Sequence, residues 1–271
     1  MKRTIKFLKI AAIGYAVLFV TAVVFQKRIA FWNKPLALDY QYSFKHGVPF
    51  EERWYKPDSS LNINALYFKT DTSRRKGLVL YFHGNADNLA RWGKYADAFT
   101  RNDYDVLMID YPQFGKSTGK LTEATLHACA QHVYAEAQKD FPENQLVVYG
   151  RSLGTGIATK LASQTNPKML LLETPYYSLP AVGRSHLPIL PYELINSVKM
   201  HTDEWITSVK CPIHLFHGTK DELVPYDHSL RLVKLLAKKP DEILTTIPEG
   251  KHKNLGEFEA YQLALDSCLA K

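Results

Sequence analysis

The chain has 271 residues, 46% hydrophobic, 12% aromatic and 23% charged, a composition that excludes bulk disorder and suits one α/β domain with a substantial core. The formal net charge of +7 sits wholly at the N-terminus. Lys2, Arg3, Lys6, Lys9, Lys27, Arg28 and Lys34 precede the first acidic residue, Asp39, and beyond them 27 basic residues face 27 acidic ones. The body is therefore neutral and lacks the basic footprint of a nucleic-acid binder.

The first predicted element is a helix. Residues 10–25 form an uncharged apolar run within MKRTIKFLKIAAIGYAVLFVTAVVFQKRIAFW. Sixteen helical residues fall short of a hydrocarbon core about 30 Å thick. With Phe7 and Leu8 added, and Lys6 and Lys9 snorkelling outward, the run reaches a span, and Phe31 and Trp32 suit the far interface. A cleaved signal peptide would call for an A-x-A-like site after the run, and a core helix for a polar stripe; neither is present. The expectation is that residues 1–34 are basic flanks and a membrane anchor. Four basic side chains precede the run and two follow it closely, so the N-terminus is expected in the cytoplasm and the body of the chain outside it.

Residues 35–271 read as one domain. Two extended stretches, 50–55 and 63–69, flank the turn residues Asp58-Ser59-Ser60 and predict an antiparallel pair. From Gly77 the rhythm changes to short apolar runs alternating with helical patterns. GLVLYFH leads to NLARWGKYADAFTRN, YDVLMIDY to LTEATLHACAQHVYAEAQKD, and QLVVYG to LGTGIATKLASQ. KMLLLE, a Pro-rich segment, CPIHLFHG, SLRLVKLLAKK, DEILTTIP and a final helix near residues 255–269 complete the chain. Apolar strands separated by amphipathic helices predict a mostly parallel sheet covered on both faces, with function at the carboxyl ends of the strands. Cys129, Cys211 and Cys268 have neither zinc-ligand nor C-x-x-C spacing, and no metal or organic cofactor is called for.

Two stretches match a G-x-S-x-G pattern. Gly115-Lys116-Ser117-Thr118-Gly119 lies several residues beyond its strand. Read instead as a phosphate-binding loop, it fails because Asp110 stands where the spacing requires glycine. Gly150-Arg151-Ser152-Leu153-Gly154 runs directly from a strand into a helix, the context in which a tight turn projects a nucleophilic serine. Such a serine needs a base and an orienting acid. His252, in EGKHKN, follows the last apparent strand and is the last histidine in the chain. His228 falls on a helical pattern as a surface position, His214 lies inside a strand pattern, and His186 and His201 sit in the irregular segment. Asp221 follows PIHLFHG directly and is preferred as the acid over Glu222 and Asp227. After an early strand, His83-Gly84-Asn85-Ala86 offers the Asn85 N–H as an oxyanion donor beside that of Leu153, with His83 ordering the loop.

HGNA, DYPQFGKSTG, GRSLGTG, HGTKDELVP and EGKH together resemble the α/β-hydrolase superfamily, and within it the membrane-anchored α/β-hydrolase-domain serine hydrolases, over residues 45–270. The resemblance implies Ser152 as nucleophile, Asp221 as acid, His252 as base, and Asn85 and Leu153 at the oxyanion hole. It also implies a hydrolase of acyl esters or thioesters with small, often lipid-like substrates. A serine peptidase or amidase with the same triad, or a membrane-tethered binding protein on a hydrolase scaffold, is the alternative. Residues 174–205 occupy the usual place of a cap insertion. Tyr176, Tyr177, Leu187, Ile189, Leu190 and Tyr192 are its candidates for an acyl-binding cleft, and packing of the cap's apolar side on the core accounts for them equally well.

Overall fold

The structure is a computed structural model that describes residues 2–71 and 73–271. Its centre is an eight-stranded sheet. The strands of the chain are β1 (Trp32–Asn33), β2 (Phe50–Tyr55), β3 (Ile63–Phe68), β4 (Gly77–Phe82), β5 (Ala86–Asp87), β6 (Tyr104–Ile109), β7 (Leu146–Arg151), β8 (Met169–Glu173), β9 (Ile213–Gly218) and β10 (Leu244–Ile247). The sheet order is β10-β9-β8-β7-β4-β6-β3-β2, and β1 pairs separately with β5. Strand β3 runs antiparallel to both its neighbours, and every other pairing in the large sheet is parallel.

The helices are α1 (Lys2–Ala30), α2 (Leu89–Trp92), α3 (Asp97–Thr100), α4 (Glu123–Ala137), α5 (Leu153–Ala162), α6 (Leu179–His186), α7 (Tyr192–Ile195), α8 (Thr202–Trp205), α9 (Asp227–Leu235), α10 (Pro240–Ile243) and α11 (Glu259–Ala270). Side chains alternate across each strand. Leu78, Leu80, Leu146 and Val148 therefore join a core with Leu126 and Val133 of α4, Ile157 and Leu161 of α5 and Leu232 of α9. Val79, Tyr81, Val147 and Tyr149 join a second core on the opposite face, with Leu89, Phe99 and Leu265 of α2, α3 and α11. Strands buried on both faces are why the sequence shows unbroken apolar runs rather than alternation.

Three regions differ from the sequence pattern. The helix expected over NLARWGKYADAFTRN is broken into α2, a 3₁₀ turn (Gly93–Tyr95) and α3. Gly93 packs so tightly on the Phe44 ring that a Cβ would lie 2.2 Å from it. The last strand is shorter than DEILTTIP suggested, because Pro240 opens the short helix α10 before it. The cap segment is not wholly irregular: it carries α6, α7 and α8.

Helix α1 has 29 residues, about 44 Å of helix, and residues 2–26 are long and apolar enough to cross a membrane by length and composition. Over those residues it is largely exposed, and it touches the body at the cap. The Tyr15 hydroxyl donates to the Ile189 carbonyl at 3.1 Å, and the Ser197 N–H donates to Gln26 Oε1 at 2.5 Å.

Candidate active site

Strand register brings the site together. Phe82 is level with Gly150, Arg151 with Glu173, Glu173 with Phe216, and Gly218 with Ile247. The loops that follow β4, β7, β9 and β10 therefore emerge side by side at one edge. Ser152 sits on the sharp turn between β7 and α5, with φ 50° and ψ −117°. A non-glycine residue held there stores strain of about 1–3 kcal/mol, and close packing maintains it. A Cβ on Gly154 would lie 1.9 Å from the Phe82 carbonyl oxygen, and one on Gly150 would lie 2.5 Å from the Gly154 carbonyl oxygen. The two glycines of the motif are needed because backbone passes against backbone.

His252 Nε2 lies 2.9 Å from Ser152 Oγ, and its Nδ1 lies 2.8 Å from Asp221 Oδ2. With the Nδ1 proton directed at Asp221, Nε2 is the acceptor for the serine hydroxyl. Asp221 Oδ1 accepts from the Leu223 and Val224 N–H groups at 2.9 and 2.8 Å. Burial opposes the charge on Asp221, but hydrogen bonds from His217 and His252, the charge of His252 and the Val224 N–H outweigh it and hold the carboxyl well below its usual range.

Leu153 is the first residue of α5, so its N–H has no acceptor within the helix, and it borders the same cavity as Asn85 and Ser152. His83 is completely buried between the Trp92 and Tyr111 rings. Its Nδ1 approaches the Gly84 carbonyl at 2.7 Å, and its Nε2 faces Asp110 at 3.3 Å. It is spaced to order the loop and does not face Ser152. Ser117 is likewise structural: its hydroxyl accepts from the Asn64 N–H and donates to the Asp110 carbonyl, each at 2.8 Å.

The cavity above Ser152 has a volume of about 520 Å³. Of the residues named from the cap, Tyr176, Leu187, Leu190 and Tyr192 line it, while Tyr177 and Ile189 do not. Tyr177 turns away: the Arg231 guanidinium stacks 3.8 Å over its ring, and its N–H donates to His228 Nδ1. Ile189 is 57% exposed and meets α1 through its carbonyl. Tyr176 is buried beneath the cavity, its hydroxyl donating to the Leu153 carbonyl at 3.0 Å. His228 is buried rather than a surface position, because it closes the base of the cap with Tyr177 and Ser185.

Sequence reasoning missed two supports. His217 is fully buried, with Nε2 3.2 Å from Asp221 Oδ2 and Nδ1 2.6 Å from Ser229 Oγ. Arg151 is buried against Glu173 at 3.1 Å, lies over the Tyr95 and Trp92 rings, and donates to the Lys253 carbonyl beside His252. Glu173 in turn accepts from the Tyr149 and Tyr261 hydroxyls. A charged residue ending each of two apolar strands was the available signal.

A family model described as the alpha/beta hydrolase fold matches residues 77–175, the segment holding β4, β7 and the Ser152 turn. The chain has the α/β-hydrolase fold and resembles that superfamily over this segment. Similar to the chain are an uncharacterised Mycobacterium tuberculosis protein, 31% identical over 66% of this chain and 64% of its own, and the lysophosphatidylserine lipase ABHD12 of Macaca fascicularis, 25% identical over 71% of this chain and 52% of its own. The chain thus spans between half and two thirds of the length of these relatives. Among solved structures, the Pyrococcus furiosus esterase Pf2001 superposes with a TM-score of 0.68 at 18% identity, covering 89% of this chain and 97% of its own. Est1E of Butyrivibrio proteoclasticus superposes at 0.61 and 19%, covering 81% and 100%. At such identities these likenesses establish the fold and nothing finer.

Proposed function

We propose that the protein is a membrane-tethered serine hydrolase of lipophilic acyl esters or thioesters. The observation that carries this reading is the hydrogen-bonded chain from Ser152 through His252 to Asp221, starting from a strained turn at the floor of a cleft lined mainly by apolar side chains. His252 Nε2 takes the Ser152 proton as Oγ bonds to the acyl carbon. The Asn85 and Leu153 N–H groups hold the oxyanion, each such donor being worth about 3 kcal/mol. As the bond to the leaving group breaks, His252 returns the proton to it, leaving an ester on Ser152. A water then gives a proton to His252 and its hydroxyl to the acyl carbon, and Ser152 regains its proton as the carboxylic acid departs. Asp221 stabilises the imidazolium at both stages.

The relatives named lysophosphatidylserine lipase support a lipid substrate. Arg91 at the cavity wall and Lys34 beside it both pair with Asp87, at 2.6 and 2.5 Å, leaving one positive charge in excess, which suits an anionic headgroup. Residues 2–26 serve as the single-pass anchor, and residues 35–271 are the hydrolase domain with a cap over 174–205. The excess of basic residues before the apolar run supports a domain outside the cytoplasm.

The test is labelling with a fluorophosphonate, followed by a panel of lysophosphatidylserine, simple esters, thioesters and peptides. Labelling of wild type but not of Ser152→Ala, with turnover of esters, supports the reading. Cleavage of peptides alone assigns a peptidase, and no labelling at all assigns a binding protein. Proteolysis of intact cells reports which side of the membrane holds the domain.

A further inference from the structure

The N-terminal helix does more than lie near the site. Leu18, Thr21, Ala22 and Gln26 of α1 line the same cavity as Ser152 and His252, together with Leu187, Leu190 and Tyr192 of the cap. The segment that follows the helix is tied to the oxyanion loop: β1 pairs with β5, and the Trp32 N–H donates to the Asn85 carbonyl at 3.3 Å. Without α1 the cleft would lack a wall.

The cap flanks the helix along its membrane-crossing part. The contacts at Tyr15 and Gln26 are eleven residues apart, about 16 Å along a helix and close to half the hydrocarbon thickness. A helix that spans the bilayer therefore carries residues 187–197 into the adjoining leaflet. The side chains there are suited to it. Leu187, Ile189 and Leu194 are 37%, 57% and 78% exposed. The one charged residue from 187 to 198, Glu193, faces Arg184 at 3.3 Å and His201 at 3.6 Å. Large apolar side chains exposed beside a spanning helix are covered by lipid at no cost, whereas in water they would form a patch with no protein over it.

Resting on the serine-hydrolase reading above, we propose that the cleft is filled laterally. A long-chain acyl lipid of the leaflet that α1 crosses enters between α1 and the cap, with its chain against residues 18–26 and its ester at Ser152. The helix is thus a substrate-binding wall as well as an anchor.

The experiment uses the full chain in phosphatidylcholine vesicles and a sixteen-carbon alkyl fluorophosphonate carrying a diazirine at the far end of the chain. Phosphonylation of Ser152 followed by photolysis and peptide mapping is expected to place cross-links within residues 18–26. Phosphonylation with cross-links confined to other segments overturns the lateral path while leaving the serine hydrolase intact. Absence of phosphonylation overturns both. In a second measurement, Ala22→Trp, which fills the groove, is expected to lower the ratio of kcat/KM for fourteen-carbon over four-carbon p-nitrophenyl esters at least ten-fold. An unchanged ratio also refutes the wall. Because the cross-linking is done on the unsubstituted protein, misfolding of the variant does not decide the matter.

Discussion

Replacing Asp221 with asparagine tests the assembled site through a single atom. In Asp221→Asn the Oδ1 position is kept, so the acceptor for the Leu223 and Val224 N–H groups survives. The Oδ2 position, 2.8 Å from His252 Nδ1, becomes an NH₂ group that can only donate. His252 then accepts at Nδ1 and carries its proton on Nε2, which faces Ser152 at 2.9 Å, so it no longer accepts the serine proton. The wrong tautomer in a triad typically costs about 10⁴ in rate, equivalent to about 5 kcal/mol of transition-state stabilisation. The two bonds to Oδ1 lose their charge assistance, and the His217 and His252 contacts with Oδ2 must reverse or break, which lowers stability by about 1–3 kcal/mol and the melting temperature by several degrees. The assay is kcat/KM on a short-chain ester, with the fluorophosphonate labelling rate and thermal melting measured alongside. Activity within ten-fold of wild type in a folded Asp221→Asn variant would refute the assignment of the acid. Glu222 and Asp227 are both exposed, and Glu222→Gln and Asp227→Asn are expected to change the rate less than two-fold.

The lowered pKa of Asp221 has a sign that can be checked. The stability advantage of wild type over Asp221→Asn should be full above about pH 4, the range of an unfolded aspartate, and should disappear as pH falls through the lower folded value in acid-unfolding titrations. Burial, with help from nearby Arg231, pushes the His228 imidazole down to about 4. Wild type should accordingly lose stability as pH drops from 6.5 toward 4, and melting curves of His228→Gln should show a shallower loss. Arg151→Met leaves the Glu173 carboxylate buried without its cation and should cost about 3–5 kcal/mol. The double variant with Glu173→Gln should recover more than half of that in chemical denaturation; no recovery would mean that packing, rather than charge, is what Arg151 supplies. Gly154→Ala forces a methyl against the Phe82 carbonyl and should reduce both the melting temperature and fluorophosphonate labelling, as overpacking by about 1–3 kcal/mol distorts the Ser152 turn.

The fold was legible where the physics is local and repetitive. GLVLYF, LVVYGR and MLLLE are apolar because both faces of each strand are covered, and a run of that kind between helical patterns fits little besides a strand of a covered parallel sheet. The four chemical loops were legible because a parallel sheet places every strand's carboxyl end at one edge, so chain order predicts neighbourhood. What could not be read is pairing across distance. His217 and Asp221 are close in sequence, but nothing in IHLFHG says that the second histidine points inward at the acid while His214, three residues earlier, meets Thr245 on the neighbouring strand. Tyr176 and Tyr177 adjoin in a segment without periodicity, so sequence could not tell which one lies beneath the cavity and which lies under Arg231.

The N-terminal helix shows the same limit in its sharpest form. A helix meant for lipid is apolar on every side, and one side that meets protein or a bound acyl chain needs no different residues. Leu18 and Ala22 therefore look like any other positions in the run, although they share a cavity with Ser152. The polar exceptions are what distinguish the faces. Tyr15, Thr21 and Gln26 are the side chains in residues 10–26 able to form hydrogen bonds. Tyr15 and Gln26 bond to the cap and Thr21 borders the cleft. A polar side chain placed in lipid is costly unless it finds a partner. Three such residues on an otherwise apolar helix thus mark the face that packs against the body, and polar-to-leucine substitution at Tyr15 and Gln26 should loosen that face while leaving the helix long and apolar enough to span.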